Sequence, residues 1–211
     1  MAIRQEISFL KGEANEWFKR NGEPPSNYTD PVIFRIQEAG IDPDLTLEIG
    51  CGTGWRLERL REIYKHCHCY GIDPSAEAIQ FGTAKYPDIT LDHGTAADIG
   101  DNYGSLTRPF DLIIFGFCLY LIDRSDLFDA VAASDRLLKD GGHLIIHDFL
   151  PDHPQKKKYR HLEGVFSYKM DYSKLWLGSP AYNLKTQTPT RDGEGITILY
   201  KNERDAWPEQ P

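Results

Sequence analysis

The apolar run from Leu45 to Ile49 stops at three glycines spaced every second residue, Gly50, Gly52 and Gly54. A helical pattern starts at once, with Leu57, Leu60 and the pair Ile63/Tyr64 recurring at steps of three to four. The stretch reads as a strand, a glycine turn and a helix. Glycine permits the tight turn and lets a ligand approach the main chain with no Cβ in the way. The new helix points unpaired N–H groups into the same space.

Downstream the alternation repeats. The spacing predicts a strand over 67–72, a helix capped by Ser75 and running through Ala84, and a short strand over 89–91. A continuous apolar run over 110–117 suits a central strand covered on both faces. A helix over about 125–139, capped by Ser125 and stopped by Gly141-Gly142, leads to a fifth strand over 143–149. Strands alternating with helices imply an α/β fold with a doubly wound, mostly parallel sheet. In front of this core, 3–20 reads as a helix weakened by Gly12 and ended by Asn21-Gly22. A second helix over 32–39 has Asp30 as its N-cap, Pro31 in its first turn and Gly40 at its close. After 149 the pattern breaks into prolines, aromatics and the run Lys156-Lys157-Lys158, read as a loop. Two late strands, 182–188 and 196–200, flank a turn at Arg191-Asp192-Gly193, and 202–211 reads as a frayed end.

The dinucleotide fingerprint G-x-G-x-x-G fails at this turn, because its third glycine would fall on Trp55. Glu48-x-Gly50-x-Gly52-x-Gly54 instead resembles motif I of the class I S-adenosylmethionine-dependent methyltransferases. Further segments extend the resemblance in order over about 45–149. Asp73 stands at the end of the second strand, where the family holds the cofactor ribose. The stretch from Asp92 to Ile99 resembles the segment that borders the adenine, with Thr95 in the usual acidic place and Asp98 three residues later. Phe110-Asp111-Leu112 opens the fourth strand as in the family, and Leu137-Leu138-Lys139-Asp140-Gly141-Gly142 resembles the stretch before strand five.

The resemblance implies a Rossmann-like sheet ending in an antiparallel C-terminal hairpin, its last strands antiparallel to the rest. It gives a single domain over 1–211: a helical N-terminal cap over 1–40, a cofactor-binding core over 45–149, and an acceptor-side segment over 150–211. It implies S-adenosyl-L-methionine as cofactor, held by Glu48, Gly50, Cys51, Gly52, Gly54, Asp73, Pro74, Thr95, Ala96, Asp98, Phe115 and Gly116, with Trp17 in a lid. Ribose capture competes with a plain turn role for Asp73, and lid with ordinary packing for Trp17.

Methyl transfer needs the reactants aligned, and a base only when the nucleophile carries a proton. His147, Asp148 and Tyr120 stand at the mouth of the crevice as catalytic candidates. The expected activity is O- or N-methylation of a small polar metabolite. An anionic acceptor fits Lys156 to Arg160, although a charge run such as this is more often a solvated loop. The alternatives are an NAD-dependent oxidoreductase, or a catalytically silent protein that binds S-adenosylmethionine.

A net charge of −8 argues against general nucleic-acid binding. Without a long apolar run or signal-peptide core, no membrane association and cytoplasmic residence are expected. The four cysteines are expected to be reduced. His66-Cys67-His68-Cys69 would lie on a strand whose alternate residues face opposite ways, so no metal is expected there.

Overall fold

The computed structural model describes residues 4–190 and 193–207. Seven strands form one sheet in the order β3-β2-β1-β4-β5-β9-β8. They are β1 (Leu45–Ile49), β2 (His68–Asp73), β3 (Thr90–His93), β4 (Phe110–Gly116), β5 (Leu138–Phe149), β8 (Tyr182–Pro189) and β9 (Glu194–Lys201). The first five pair in parallel. β9 is antiparallel to β5, and β8 to β9. The C-terminal hairpin is therefore present, but only β9 runs against the rest. β8 reverses once more and shares the direction of β5.

Both faces of the sheet are covered, which is why β4 reads as an unbroken apolar run. Ile113 and Phe115 pack with Leu47, Ile49, Leu144 and Ile146 on one face, together with Leu127, Ala130 and Ala133 of α5 (Arg124–Leu137). Leu112, Ile114 and Ile145 face the other way, onto Val32 and Ile36 of α2 (Pro31–Glu38), Leu57 and Leu60 of α3 (Trp55–Ile63), and Ile79 of α4 (Ala76–Lys85). Two expected caps hold. The Ser75 hydroxyl accepts from Ala78 N–H at 3.1 Å, and Asp30 Oδ1 accepts from Ile33 N–H at 2.9 Å.

Other local expectations are corrected. Ser125 does not cap α5; Asp123 takes the N-cap position without a side-chain bond to the helix. Its Oδ2 is used instead by the Gln5 N–H at 2.6 Å. Gly141-Gly142 does not stop the helix, because α5 passes straight into β5 at Leu138 and the glycines lie within the strand. The run Lys156-Lys157-Lys158 lies in a separate hairpin, β6 (Gln155–Lys158) against β7 (Phe166–Lys169), not in a loop. The segment before α2 is not one helix. A helical turn, Gln5–Ser8, leads through a π-helical stretch with Gly12 at φ 146° into α1 (Ala14–Asn21). Asn202 caps a short helix, Glu203–Ala206, where fraying was expected. Ile3, Arg191, Asp192 and 208–211 lie outside the described residues. No helix among the described residues is long and apolar enough to cross a membrane.

Candidate active site

The strand order reverses between β1 and β4, and ligands of such sheets bind beyond the carboxyl ends of the strands there. The glycine turn sits at this point. Gly50 and Gly52 have φ of 75° and 57°, a left-handed backbone that side chains disfavour. Gly50 N–H and Cys51 N–H both donate to Ile72 O, at 2.9 and 3.2 Å, which ties the turn to β2. A Cβ on Gly50 would lie 2.8 Å from Cys118 Cβ and 3.2 Å from Gly116 O, so the turn is seated hard against the end of β4. A Cβ on Gly52 would meet nothing within 4 Å and would occupy the cavity instead.

Asp73 closes the other side. Its Oδ2 accepts from Gly52 N–H at 2.9 Å and its Oδ1 from Ser75 N–H at 2.8 Å. Each oxygen keeps a further lone pair for a hydroxyl. Burial pushes the carboxyl up, while the Ser75 and Gly52 amides pull it down.

Glu48 does not line the cavity. It is fully buried behind the turn and bonds Arg56 Nη1 of α3, while Arg56 Nε donates to Asp30 Oδ2 at 3.0 Å. One buried guanidinium thus joins β1, α3 and the N-cap of α2. Burial pushes the Glu48 carboxyl up to about 7, against the pull of Arg56. This pair also accounts for Gly116. A Cβ there would stand 2.5 Å from Glu48 Oε1 and 3.1 Å from Arg56 Nη1.

A cavity of about 380 Å³ opens over these groups, within the range of small-molecule sites. Of the residues expected from sequence, Trp17, Gly50, Cys51, Gly52, Asp73, Pro74, Thr95, Ala96, Gly116, Tyr120 and His147 line it. Gly54, Asp98, Phe115 and Asp148 do not, and neither does Glu48. Asp98 is absorbed locally, its Oδ2 accepting from Thr95 N–H at 2.7 Å and Thr95 Oγ1 at 2.9 Å. Phe115 is wholly buried in the core. The N-terminal segment roofs the cavity with Glu6, Phe9, Trp17 and Phe18. Asn15 Oδ1 accepts from Ser75 Oγ at 2.9 Å, and Glu23 Oε1 from Thr53 Oγ1 at 2.6 Å, so both ends of α1 are fastened to the turns below.

At the β4–β5 end, Phe117 has a φ of 60°, an outlier for an aromatic residue. Its N–H donates to His147 O at 2.8 Å, and its ring lies 5.5 Å from that of His147 and 5.0 Å from that of Tyr120. His147 Nε2 is 3.7 Å from Glu194 Oε2 on β9, and Nδ1 is buried with no partner among the described residues. Asp148 does not pair with His147. It accepts from Phe149 N–H at 2.7 Å and Tyr120 N–H at 3.3 Å, and burial pushes its carboxyl up to about 7. Burial likewise drives the Tyr120 phenol well above its ordinary value, so it stays a donor.

Sequence reasoning missed Arg56 and Glu194. Arg56 had a faint signal, a cation in the first turn after the glycines. Glu194 had none, since its place beside His147 depends on a contact across the sheet.

The residues fit S-adenosylmethionine: a glycine floor that a Cβ would fill, a carboxylate with free lone pairs at the end of β2, and a guanidinium on the cavity wall. A sheet of this order with β9 alone reversed, and such a crevice at its switch point, defines the class I S-adenosylmethionine-dependent methyltransferases. The chain belongs to that family, residues 27–177 matching the methyltransferase domain. It is 23% identical over 181 residues to malonyl-[acyl-carrier protein] O-methyltransferase 1 of Coxiella burnetii (strain RSA 493 / Nine Mile phase I). That match takes in 86% of this chain and 60% of the relative, so the chain spans about 60% of the length of the curated relative it matches. Among solved structures, the S-adenosylmethionine-bound amino pentose methyltransferase CalS10 of Micromonospora echinaspora superposes with a TM-score of 0.62 at 16% identity, over 90% of this chain and 97% of that one. The 1,6-didemethyltoxoflavin-N1-methyltransferase of Burkholderia thailandensis, with 1,6-didemethyltoxoflavin and S-adenosylhomocysteine bound, gives 0.67 at 14% identity, over 96% and 92%.

Proposed function

We propose that the protein methylates an oxygen or nitrogen of a small acceptor whose body is apolar and ring-bearing. One observation carries this reading. Trp17, Phe18, Tyr28, Trp55, Phe117 and Tyr120 line the cavity, while its one lysine or arginine among the described lining residues, Arg56, is already paired with Glu48 and Asp30. Aromatic faces bind rings and cations, and they offer nothing to an anion. Lys156, Lys157, Lys158 and Arg160 are not part of the wall, so they do not argue for an anionic reacting end. A malonyl acceptor, as in the name of the Coxiella relative, would need a cation for its carboxylate, and only Arg56 is at hand.

When bound, S-adenosylmethionine supplies a methyl group already activated on a sulfonium. The chain's own residues align the partners. Arg56 Nη2 has no partner among the described residues and would hold the cofactor's carboxylate. Asp73 would accept the ribose hydroxyls. The Phe117 and Tyr120 rings would hold the acceptor against the turn, which is the main requirement of an in-line displacement. His147, on the cavity wall with Glu194 near Nε2, would receive the acceptor's proton.

The test is methyl transfer from labelled cofactor to three compound sets, read by mass: phenols with aromatic amines, aliphatic carboxylates, and phosphorylated metabolites. Label in the first set is expected. Label confined to the other two overturns the acceptor reading. Tight S-adenosylhomocysteine binding with no transfer to any set supports the silent-binder alternative, and tight NAD binding with no response to either sulfur nucleoside supports the oxidoreductase.

A further inference from the structure

The run Lys156-Lys157-Lys158 stands outside the cavity wall, and the pairing of β6 with β7 sorts it into two faces. Residues opposite each other in an antiparallel pair share a face, and neighbours along a strand alternate. Lys156 stands opposite Tyr168 and Lys158 opposite Phe166. The Lys156 ammonium lies over both rings, 4.0 Å from the centroid of Phe166 and 5.4 Å from that of Tyr168. Lys157 stands opposite Ser167, and Gln155 opposite Lys169, so Lys157 and Lys169 share the other face. Ser167 is buried, so that face is the one turned toward the body of the protein.

The hairpin is fixed beside the cavity by Gln5, itself buried. Gln5 Oε1 accepts from Phe166 N–H at 2.7 Å, and its Nε2 donates to Leu121 O at 2.8 Å, in the short turn Leu119–Leu121 that carries Tyr120. The Lys169 ammonium lies 3.3 Å from the centroid of Phe149. The Phe149 ring in turn lies 4.9 Å from that of Phe117 and 5.0 Å from that of Tyr120, both on the cavity wall. One aromatic ring therefore separates this cation from the acceptor end of the cavity.

No carboxylate among the described residues forms an ion pair with Lys169, although the chain carries a net charge of −8. The carboxyls whose charge reaches it are Asp148 and Glu194. Burial keeps Asp148 protonated up to about 7, and Glu194 stands beside His147. Burial and the charge of Lys157 push the Lys169 ammonium down. Two like charges on one face repel, and an anion placed between them removes that cost.

We propose that Lys169, with Lys157 beside it, receives an anionic substituent at the far end of the acceptor, beyond the ring that enters the cavity. The proposal rests on the ring-bearing acceptor reading above and adds to it a charged tail that stays outside the aromatic wall. It also divides the lysine run by role: Lys157 faces the tail, while Lys156 and Lys158 face away from it.

The test uses para-hydroxyphenylpropanoate and its primary amide, which share ring and chain and differ by carboxylate against carboxamide. Each is titrated calorimetrically into the full chain saturated with S-adenosylhomocysteine. Wild type should bind the carboxylate about tenfold more tightly, the worth of one hydrogen bond to a charged group. Lys169→Met keeps an apolar stem over Phe149 and should bring the two compounds within about twofold of each other. Lys169→Arg should restore the preference, and Lys156→Met, on the opposite face, should keep it. Added salt should shrink it in wild type. Melting curves of each variant show that the protein titrated is folded. Equal binding of the two compounds by wild type, a preference that survives in folded Lys169→Met, or its loss in Lys156→Met alone overturns the assignment. Failure of wild type to bind either compound overturns it too, and the transfer screen above then separates the two readings, because phenols or aromatic amines labelled there leave the ring-bearing acceptor standing without its tail.

Discussion

Gly50 and Gly52 are both left-handed glycines two residues apart, yet the structure predicts different consequences for the same substitution. An alanine held in the left-handed region costs about 1–2 kcal/mol, and the stiffer unfolded chain gives back about 0.4–1 kcal/mol. At Gly52 nothing stands within 4 Å of the added methyl, so no clash is added. The net cost of Gly52→Ala is at most about 1.6 kcal/mol, and at about 2–4 °C per kcal/mol for a chain of this size the melting temperature falls by no more than about 6 °C. The methyl enters the space a cofactor would fill. Overpacking of about 1–3 kcal/mol weakens S-adenosylhomocysteine binding by roughly fivefold to a hundredfold. Gly50→Ala meets Cys118 Cβ at 2.8 Å and the backbone oxygen of Gly116 at 3.2 Å. Its net cost is roughly 1–4.5 kcal/mol of stability, the left-handed penalty plus overpacking less the same unfolded-chain gain. Melting curves recorded across an S-adenosylhomocysteine titration separate the two. If Gly52→Ala binds within about twofold of wild type, or melts as low as Gly50→Ala, the placement of the turn beneath the cofactor is refuted.

Asp73→Ala should weaken S-adenosylhomocysteine by roughly tenfold to a hundredfold, the loss of hydrogen bonds to a charged group; unchanged affinity with a lowered melting temperature would mean Asp73 only shapes the turn. His147→Gln should lower turnover by roughly a hundredfold or more with cofactor affinity preserved; normal turnover by folded His147→Gln would show alignment alone to be sufficient. The Asp148 carboxyl, raised to about 7 by burial, binds its proton more tightly folded than unfolded. Its contribution to stability is therefore complete below the ordinary carboxylate range and is lost as pH rises through about 7. Melting temperature should fall over that window in wild type and fall less in Asp148→Asn, and identical slopes would contradict a buried neutral acid.

The sheet strands, the glycine turn, the caps at Ser75 and Asp30 and the carboxylate at Asp73 were legible because each is written in local chemistry. Two-sided burial makes β4 uniformly apolar, left-handed backbone selects Gly50 and Gly52, and a cap needs an oxygen three residues before its amide. Where local rules misled, a distant partner had taken over. Gly141-Gly142 looked like a helix stop, yet α5 gives way at Leu138 to pairing with Phe110, so the glycines fall inside β5. The Arg4–Asp126 pair, 122 positions apart, carried no sequence signal. Gly116, which departs from the family pattern, is explained by the Glu48–Arg56 pair occupying its side-chain space. The sequence alone determined the fold, the glycine floor and the carboxylate at the end of β2, because periodicity and backbone chemistry act over a few residues. Which carboxylates reach the cavity, and which are spent holding the fold together, was decided only by tertiary structure, because a polar group is free for a ligand only if no neighbour brought in by folding has already satisfied it.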